Sequence, residues 1–187
     1  MFDNLLQHNV RRMLAYSSIA QMGYVIVAII SGSYQAAAYY AIAYGVISLA
    51  AFGSIAVLER TGCGSTLDDY RGRGSSSPLA SGVLTLALLA LAGIPPTAGF
   101  TGKFLIFGSA VRSGEMPLAI FGILTVAVSI YYYLRVVSVL YFTEPKRIDQ
   151  EQITTIEALV LLIASLVIVL LGLFPSSLLE LFTRLSS

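Results

Sequence analysis

Apolar runs of bilayer-spanning length, separated by short stretches that hold almost all the charge, leave this chain one class of fold. Roughly 20 apolar residues at helical rise cross a ~30 Å hydrocarbon core, and such runs follow one another from Leu14 to Phe174. Open sheet edges cannot face lipid, so segments this long and apolar read as helices. Composition agrees: 57% of the residues are hydrophobic and 11% charged, with a mean hydropathy of +0.83. A soluble domain carries about 25% charged residues. The expected architecture is all-α, a polytopic transmembrane helix bundle of about five spans.

The spans fall at about 14–31, 34–58, 78–111, 117–142 and 154–174 of a single membrane domain covering 1–187. Ser77-Pro78 places a capping hydroxyl before a first-turn proline, and Pro117 opens the fourth helix in the same way. Thr154-Thr155-Ile156-Glu157 reads as a capping box. Pro175 closes the last span. Beyond it Leu178, Leu179, Leu181 and Phe182, with a Glu180/Arg184 pair, suggest a short interfacial helix at about 176–185. Arg11-Arg12 before the first apolar run resembles a targeting sequence. Further spans follow it, however, and Ser17, Ser18 and Gln21 interrupt the run, so it reads as a span.

The basic residues set the orientation. With the amino end in the cytoplasm, Arg11, Arg12, Arg60, Arg71, Arg73, Lys146 and Arg147 all lie in cytoplasmic loops, while Arg112 and Arg184 lie outside. The positive-inside rule then puts the amino end in and the carboxyl end out. A net charge of +1 without a basic run gives no reason to expect nucleic acid. The lone Cys63 has no CxxC partner and the lone His8 is far from it, so no metal site is expected. No phosphate loop, dinucleotide fingerprint or catalytic triad is present, and no cofactor is expected on this chain.

The third segment is too long for one straight span: 34 residues at 1.5 Å each would reach about 50 Å. Gly93-Ile94-Pro95-Pro96-Thr97-Ala98-Gly99 lies at its middle. Two prolines without N–H groups break a helix there and free carbonyls near Ala90–Ala92. Irregular backbone at this depth is tolerated where protein or a water-filled cavity shelters it. Lys103 follows at nearly the same depth, where a charge costs about 2.5–3.5 kcal/mol on insertion scales. One reading is a proton-relay lysine beside the break, because burial makes reversible protonation feasible. The other is a snorkelling lysine beside a packing kink.

Three further features divide between function and packing. Arg135 lies about two turns from the end of its span, where it either snorkels or tunes a neighbouring site electrostatically. Ser17, Gln21, Tyr24, Tyr40, Tyr44 and Ser48 recur at helical spacing, as interhelical hydrogen bonds or as a partly hydrated path to Lys103. Ala37, Ala41, Gly45 and Gly53 form a small-residue face suited to close helix packing. His8, Asp68 and Asp69 read as solvated loop residues.

The segment from Asn9 to Tyr24, NVRRMLAYSSIAQMGY, resembles the loop–helix signature of the antiporter-like subunits of respiratory complex I. Leu91 to Phe104, LAGIPPTAGFTGKF, is similar to their broken helix with its lysine. Asp69-Tyr70-Arg71-Gly72 and Tyr131-Tyr132-Tyr133-Leu134-Arg135-Val136 narrow the resemblance to the subunit N branch of the proton-pumping NADH:quinone oxidoreductase.

The resemblance implies a non-redox subunit of the membrane arm in a bacterial plasma membrane, set among other antiporter-like subunits and translocating protons. NADH, flavin, iron–sulfur clusters and quinone are expected on other subunits. It carries the lysine of the broken helix over to Lys103, and with the polar stripe the expected proton path is Lys103, Tyr44, Ser48, Gln21 and Ser17, beside the break shaped by Gly93, Pro95, Pro96 and Gly99. Tyr44 and Ser48 stand where sister subunits carry ionisable residues, so water and hydroxyls must link this path. Subunit N is expected to carry further spans ahead of these, with a glutamate and lysines that have no counterpart here. The chain is therefore expected to be a carboxyl-terminal portion supplying the exit side of the path. The other readings are the matching part of a related cation/proton antiporter or membrane-bound hydrogenase, and a truncated scaffold that transports nothing.

Overall fold

The computed structural model describes residues 8–144 and 153–185. Helices α1 (Val10–Ile30), α2 (Tyr34–Arg60), α3 (Pro78–Ala92), α4 (Ala98–Arg112), α5 (Met116–Phe142), α6 (Thr155–Leu173) and α7 (Pro175–Leu185) make the bundle. A 3-10 turn at Leu67–Tyr70 and one helical turn at Arg73–Ser76 sit in the loop between α2 and α3. Four helices, α1, α2, α5 and α6, are each long and apolar enough to cross a membrane. The third predicted span is the broken one: α3 and α4, of 15 residues each, meet at the Gly93–Thr97 break.

Capping explains the helix starts. The Asn9 side chain accepts from the Arg12 N–H at 3.0 Å, so α1 begins before its apolar run and takes Arg11 and Arg12 into its first turn. Thr154 and Glu157 close the expected capping box on α6. Ser77 does not cap α3 with its side chain. Its hydroxyl is buried and without a partner among the described residues, and its carbonyl takes the Ser81 N–H instead. Proline at the first position needs no N–H partner, so α3 starts there without a side-chain cap.

Helix α2 is central, packed against α1, α3, α4 and α6, while α5 lies against α1, α3 and α4. The expected small-residue face on α2 is only partly used. Ala37 is buried and Gly53 meets the Leu161 side chain, but Ala41 and Gly45 face outward. The closest approach is made elsewhere, by Gly102 of α4 under the rings of Tyr39 and Tyr40. In α7, Leu178, Leu179 and Phe182 pack beside Tyr39, Ala43 and Ala98. The side chains of Leu181 and Arg184, and Lys146 with Arg147, lie outside the described residues.

The charged groups gather at one end. Arg11 of α1 pairs with Glu59 of α2, and Arg60 grips Glu157 of α6 through two hydrogen bonds of 3.1 and 2.6 Å. The loop after α2 is pinned to the start of α1 by Val10 N–H to the Ser65 carbonyl and by an Asn9–Thr66 bridge. Inside that loop Cys63 is buried and donates to the Asp69 carbonyl, and burial pushes its thiol up to about 11.

Two measurements check this packing. At pH 8, alkylation of Cys63 by iodoacetamide is expected to be roughly a hundredfold slower in the folded chain than after denaturation, rising with pH until about 11, because only the thiolate reacts. A Gly102→Ala change drives a methyl into the Tyr40 ring and is expected to cost about 1–3 kcal/mol. Gly45→Ala meets nothing within 4 Å and should leave the unfolding midpoint in detergent unchanged.

Candidate functional site

In a continued helix the carbonyl of Leu91 would accept from residue 95 and that of Ala92 from residue 96. Both are prolines, so neither bond can form. Gly93 takes the left-handed conformation, with φ +81°, and turns the chain out of α3 while its N–H reaches the Ala90 carbonyl. Thr97 opens α4, its hydroxyl donating to the Ile94 carbonyl at 2.7 Å. Gly99 lies against the Ala90 carbonyl and Gly172 of α6 against the backbone of Pro96 and Thr97, where a Cβ would collide.

The freed Leu91 carbonyl is the centre of the site. It accepts from Lys103 Nζ at 2.5 Å and from Gln21 Nε2 at 3.3 Å. Lys103 is 4% exposed, and its ammonium lies 5.3 Å from the centre of the Tyr24 ring. Among the described residues no carboxylate pairs with it. The Lys103 amine instead meets a carbonyl dipole and an aromatic face, both of which favour its cationic form.

Gln21 reaches further than Lys103. Its amide nitrogen also bonds the Tyr133 hydroxyl at 3.2 Å, and its oxygen accepts a short bond from Tyr40. The Ser17 hydroxyl donates to the Leu14 carbonyl and lies beside Tyr133. Tyr24 bonds Thr125 of α5 at 3.1 Å. One polar cluster thus joins α1, α2, α4 and α5 through the break.

The expected site residues divide accordingly. Lys103 and Gln21 come together at the Leu91 carbonyl, with Gly93 against the Lys103 side chain and Ser17 beside Tyr133; Pro95 and Pro96 are exposed. Tyr44 and Ser48 are half-buried, and the Lys103 hydrogen bond goes to Leu91, not to them. Tyr44 packs on the apolar core and neighbours the cluster only through Tyr40, one turn away. Arg135 lines a separate pocket of about 240 Å³ with His8, Asp68 and Arg71, at the charged end. That placement fits the snorkelling reading. The Leu91 carbonyl is one of those near Ala90–Ala92 expected to be freed by the prolines, whereas Tyr133 was not singled out by spacing.

Beside Lys103, on the side of α4 that leads to Arg112, lies a cavity of about 580 Å³. Phe104 and Phe107 of α4 face Ile123 and Val126 of α5 across it. The Phe107 ring stands edge-on to Tyr24, with ring centres 5.7 Å apart, and rests on Gly122.

Fold and site together define a membrane-spanning bundle built around a broken helix that carries a buried lysine. The chain belongs to the NADH:quinone oxidoreductase/Mrp antiporter family, whose transmembrane segment matches residues 2–129. It is 55% identical to NADH-quinone oxidoreductase subunit N of Geobacter metallireducens over 180 residues, covering 95% of this chain and 39% of that protein. Among solved structures it matches a chain of respiratory complex I from Thermus thermophilus with a TM-score of 0.83 and 33% identity, over 96% of this chain and 41% of that one. It also matches a chain of an archaeal membrane-bound sulfane sulfur reductase with a TM-score of 0.88 and 27% identity, over 97% and 38%. The chain thus spans under half the length of the curated relatives it matches.

The cluster around Leu91 yields a stability prediction. Gln21→Leu strips Tyr40 and Tyr133 of a shared partner and leaves the carbonyl to Lys103 alone. The expected loss is about 1–3 kcal/mol for groups left unsatisfied, read as a lower denaturation midpoint in detergent. Ser48→Ala should lose no more than a few tenths by the same measurement, as a surface-type change does.

Proposed function

We propose that this chain is part of a proton-translocating, antiporter-like subunit of NADH:quinone oxidoreductase and supplies the exit side of its proton path through Lys103. The observation that carries the reading is a lysine buried at mid-span, with no carboxylate beside it among the described residues, on a carbonyl that the helix break has freed. Intramembrane charges so placed are functional by default. Gln21 shares the same carbonyl, so Lys103 can release it without leaving a buried acceptor unpaired. That lowers the cost of moving the amine between a proton donor and a proton acceptor. Gln21 carries no ionisable proton, so transfer to and from Lys103 runs through water and the surrounding hydroxyls of Tyr40, Tyr133 and Ser17. Tyr44 and Ser48 feed this cluster through Tyr40.

In this reading the amino end and the paired arginines face the cytoplasm of a bacterium, and α7 lies at the outer face. Redox chemistry with NADH, flavin, iron–sulfur clusters and quinone belongs to other subunits, and the lateral partners are other membrane-arm subunits. The chain's relation to subunit N of Geobacter metallireducens and to a complex I chain from Thermus thermophilus supports this choice within the family. Arg135 acts here as an anchor at the cytoplasmic end.

The relay role is tested in the assembled enzyme in inverted membrane vesicles. Lys103→Ala removes the exchangeable proton, and Lys103→Arg keeps a charge that does not come off at accessible pH. Both are expected to lower the protons pumped per NADH oxidised, while electron transfer from NADH to an artificial acceptor is unchanged. Pumping at the wild-type ratio in Lys103→Ala would sink the reading.

A further inference from the structure

The cavity beside Lys103 is lined mainly by apolar side chains that the relay reading does not use. We propose that it binds one acyl chain of a bilayer phospholipid, with the lipid phosphate held by Arg112 at its rim. Its walls decide the class of occupant. Phe104 and Phe107 on one side and Ile123 and Val126 on the other offer water no partners, and apolar cavities of this kind stay dry or take apolar ligands. The residues lining it include two cations, Lys103 and Arg112, and no acid.

Those cations stand at opposite ends. Nine residues of α4 separate them, about 13 Å at helical rise. That is close to the depth of one leaflet, about half of a ~30 Å core. Lys103 at the inner end is already bonded to Leu91. Arg112 ends α4 at the other and is exposed. Its guanidinium folds back over Gly108, with one nitrogen 3.4 Å from where a Cβ on that glycine would sit. An arginine fork held at the mouth of an apolar slot matches a phosphate joined to a hydrocarbon chain. Phe104, which lines the slot, is 68% exposed in this chain, which leaves a lateral way in.

The consequence rests on the relay reading of Lys103, although the binding does not. A seated chain keeps water from the outward side of the lysine, so occupancy closes that side and departure opens it.

The test uses the assembled enzyme in nanodiscs with phosphatidylglycerol carrying a photoreactive group in its acyl chain. After irradiation and digestion, labelled peptides are mapped by mass spectrometry. Label is expected on α4 near Phe104–Phe107 and on α5 near Ile123–Val126. Arg112→Gln should reduce it roughly fivefold, the worth of one arginine at a lipid surface. Val126→Trp, which fills the slot, should abolish it, and an unchanged unfolding midpoint shows that this variant is folded. Pumping by Lys103→Ala and labelling of Arg112→Gln and Val126→Trp are separate measurements on different residues, so the relay reading and the lipid reading fail independently. The proposal is overturned if label on these helices is unchanged by both Arg112→Gln and Val126→Trp, as for bulk lipid. It is equally overturned if these helices take no label, as when another membrane segment or water fills the slot.

Discussion

Hydrocarbon offers a backbone carbonyl no hydrogen bond, so each carbonyl that a proline leaves open must be answered from inside the protein. This chain meets the requirement twice by the same means. Pro95 has no N–H for the Leu91 carbonyl, and Lys103 and Gln21 donate to it instead. Pro175 has none for the Leu171 carbonyl, which takes the Tyr39 hydroxyl at 2.6 Å. The next carbonyl, that of Gly172, takes Thr101 at 2.9 Å. These bonds run from α1 and α4 to the end of α3, and from α2 and α4 to the end of α6. These four contacts between helices in an apolar interior thus end on carbonyls at the two places where prolines interrupt the chain. Glycines at the same places, Gly99 and Gly172, bring the backbones close enough for the donors to reach.

The charged end follows different rules. Arg11–Glu59 and Arg60–Glu157 join α1, α2 and α6, but their side chains are partly exposed. Pairs of this kind contribute about 0–1 kcal/mol each. They hold the register of the helix ends and leave the stability to packing and to the buried bonds. That division explains why Arg135 and Lys103, both placed in spans by the sequence, have different surroundings. The first lines a polar pocket beside Asp68 and Arg71 at the charged end. The second lies buried at a break.

Much of the fold was legible because its signals are local. Apolar length located the spans, Pro95-Pro96 located the break, and Thr154–Glu157 located the start of α6. Lys103 stood out because lipid makes a mid-span charge rare. What sequence could not supply was which faces meet. The small-residue pattern on α2 pointed to Ala41 and Gly45, yet the close contact falls to Gly102 on α4, because the rotation of α2 is set by its large tyrosines. Tyr44 and Ser48 share a helical stripe with Tyr40, but at 3.6 residues per turn the stripe turns with each step, and both are only half-buried where Tyr40 is fully buried. Tyr133 was hidden in a run of three tyrosines, of which only packing shows that the last points at Gln21.

The sharing of one carbonyl by two donors has a further consequence for the relay proposed for Lys103. A buried carbonyl left without a partner costs about 1–3 kcal/mol. Were Lys103 the only donor to Leu91, each departure of its amine would incur that cost, and the lysine would act as a structural clamp. With Gln21 also in place, and with Gln21 itself fixed by Tyr40 and Tyr133, the carbonyl stays paired whichever way the amine turns. The Tyr24 face then supplies the remaining attraction for the ammonium, an attraction that is directional but not a hydrogen bond to be broken. A helix break whose carbonyl would otherwise depend on one donor thus holds its lysine by contacts that the lysine can leave singly, as the proposed relay requires.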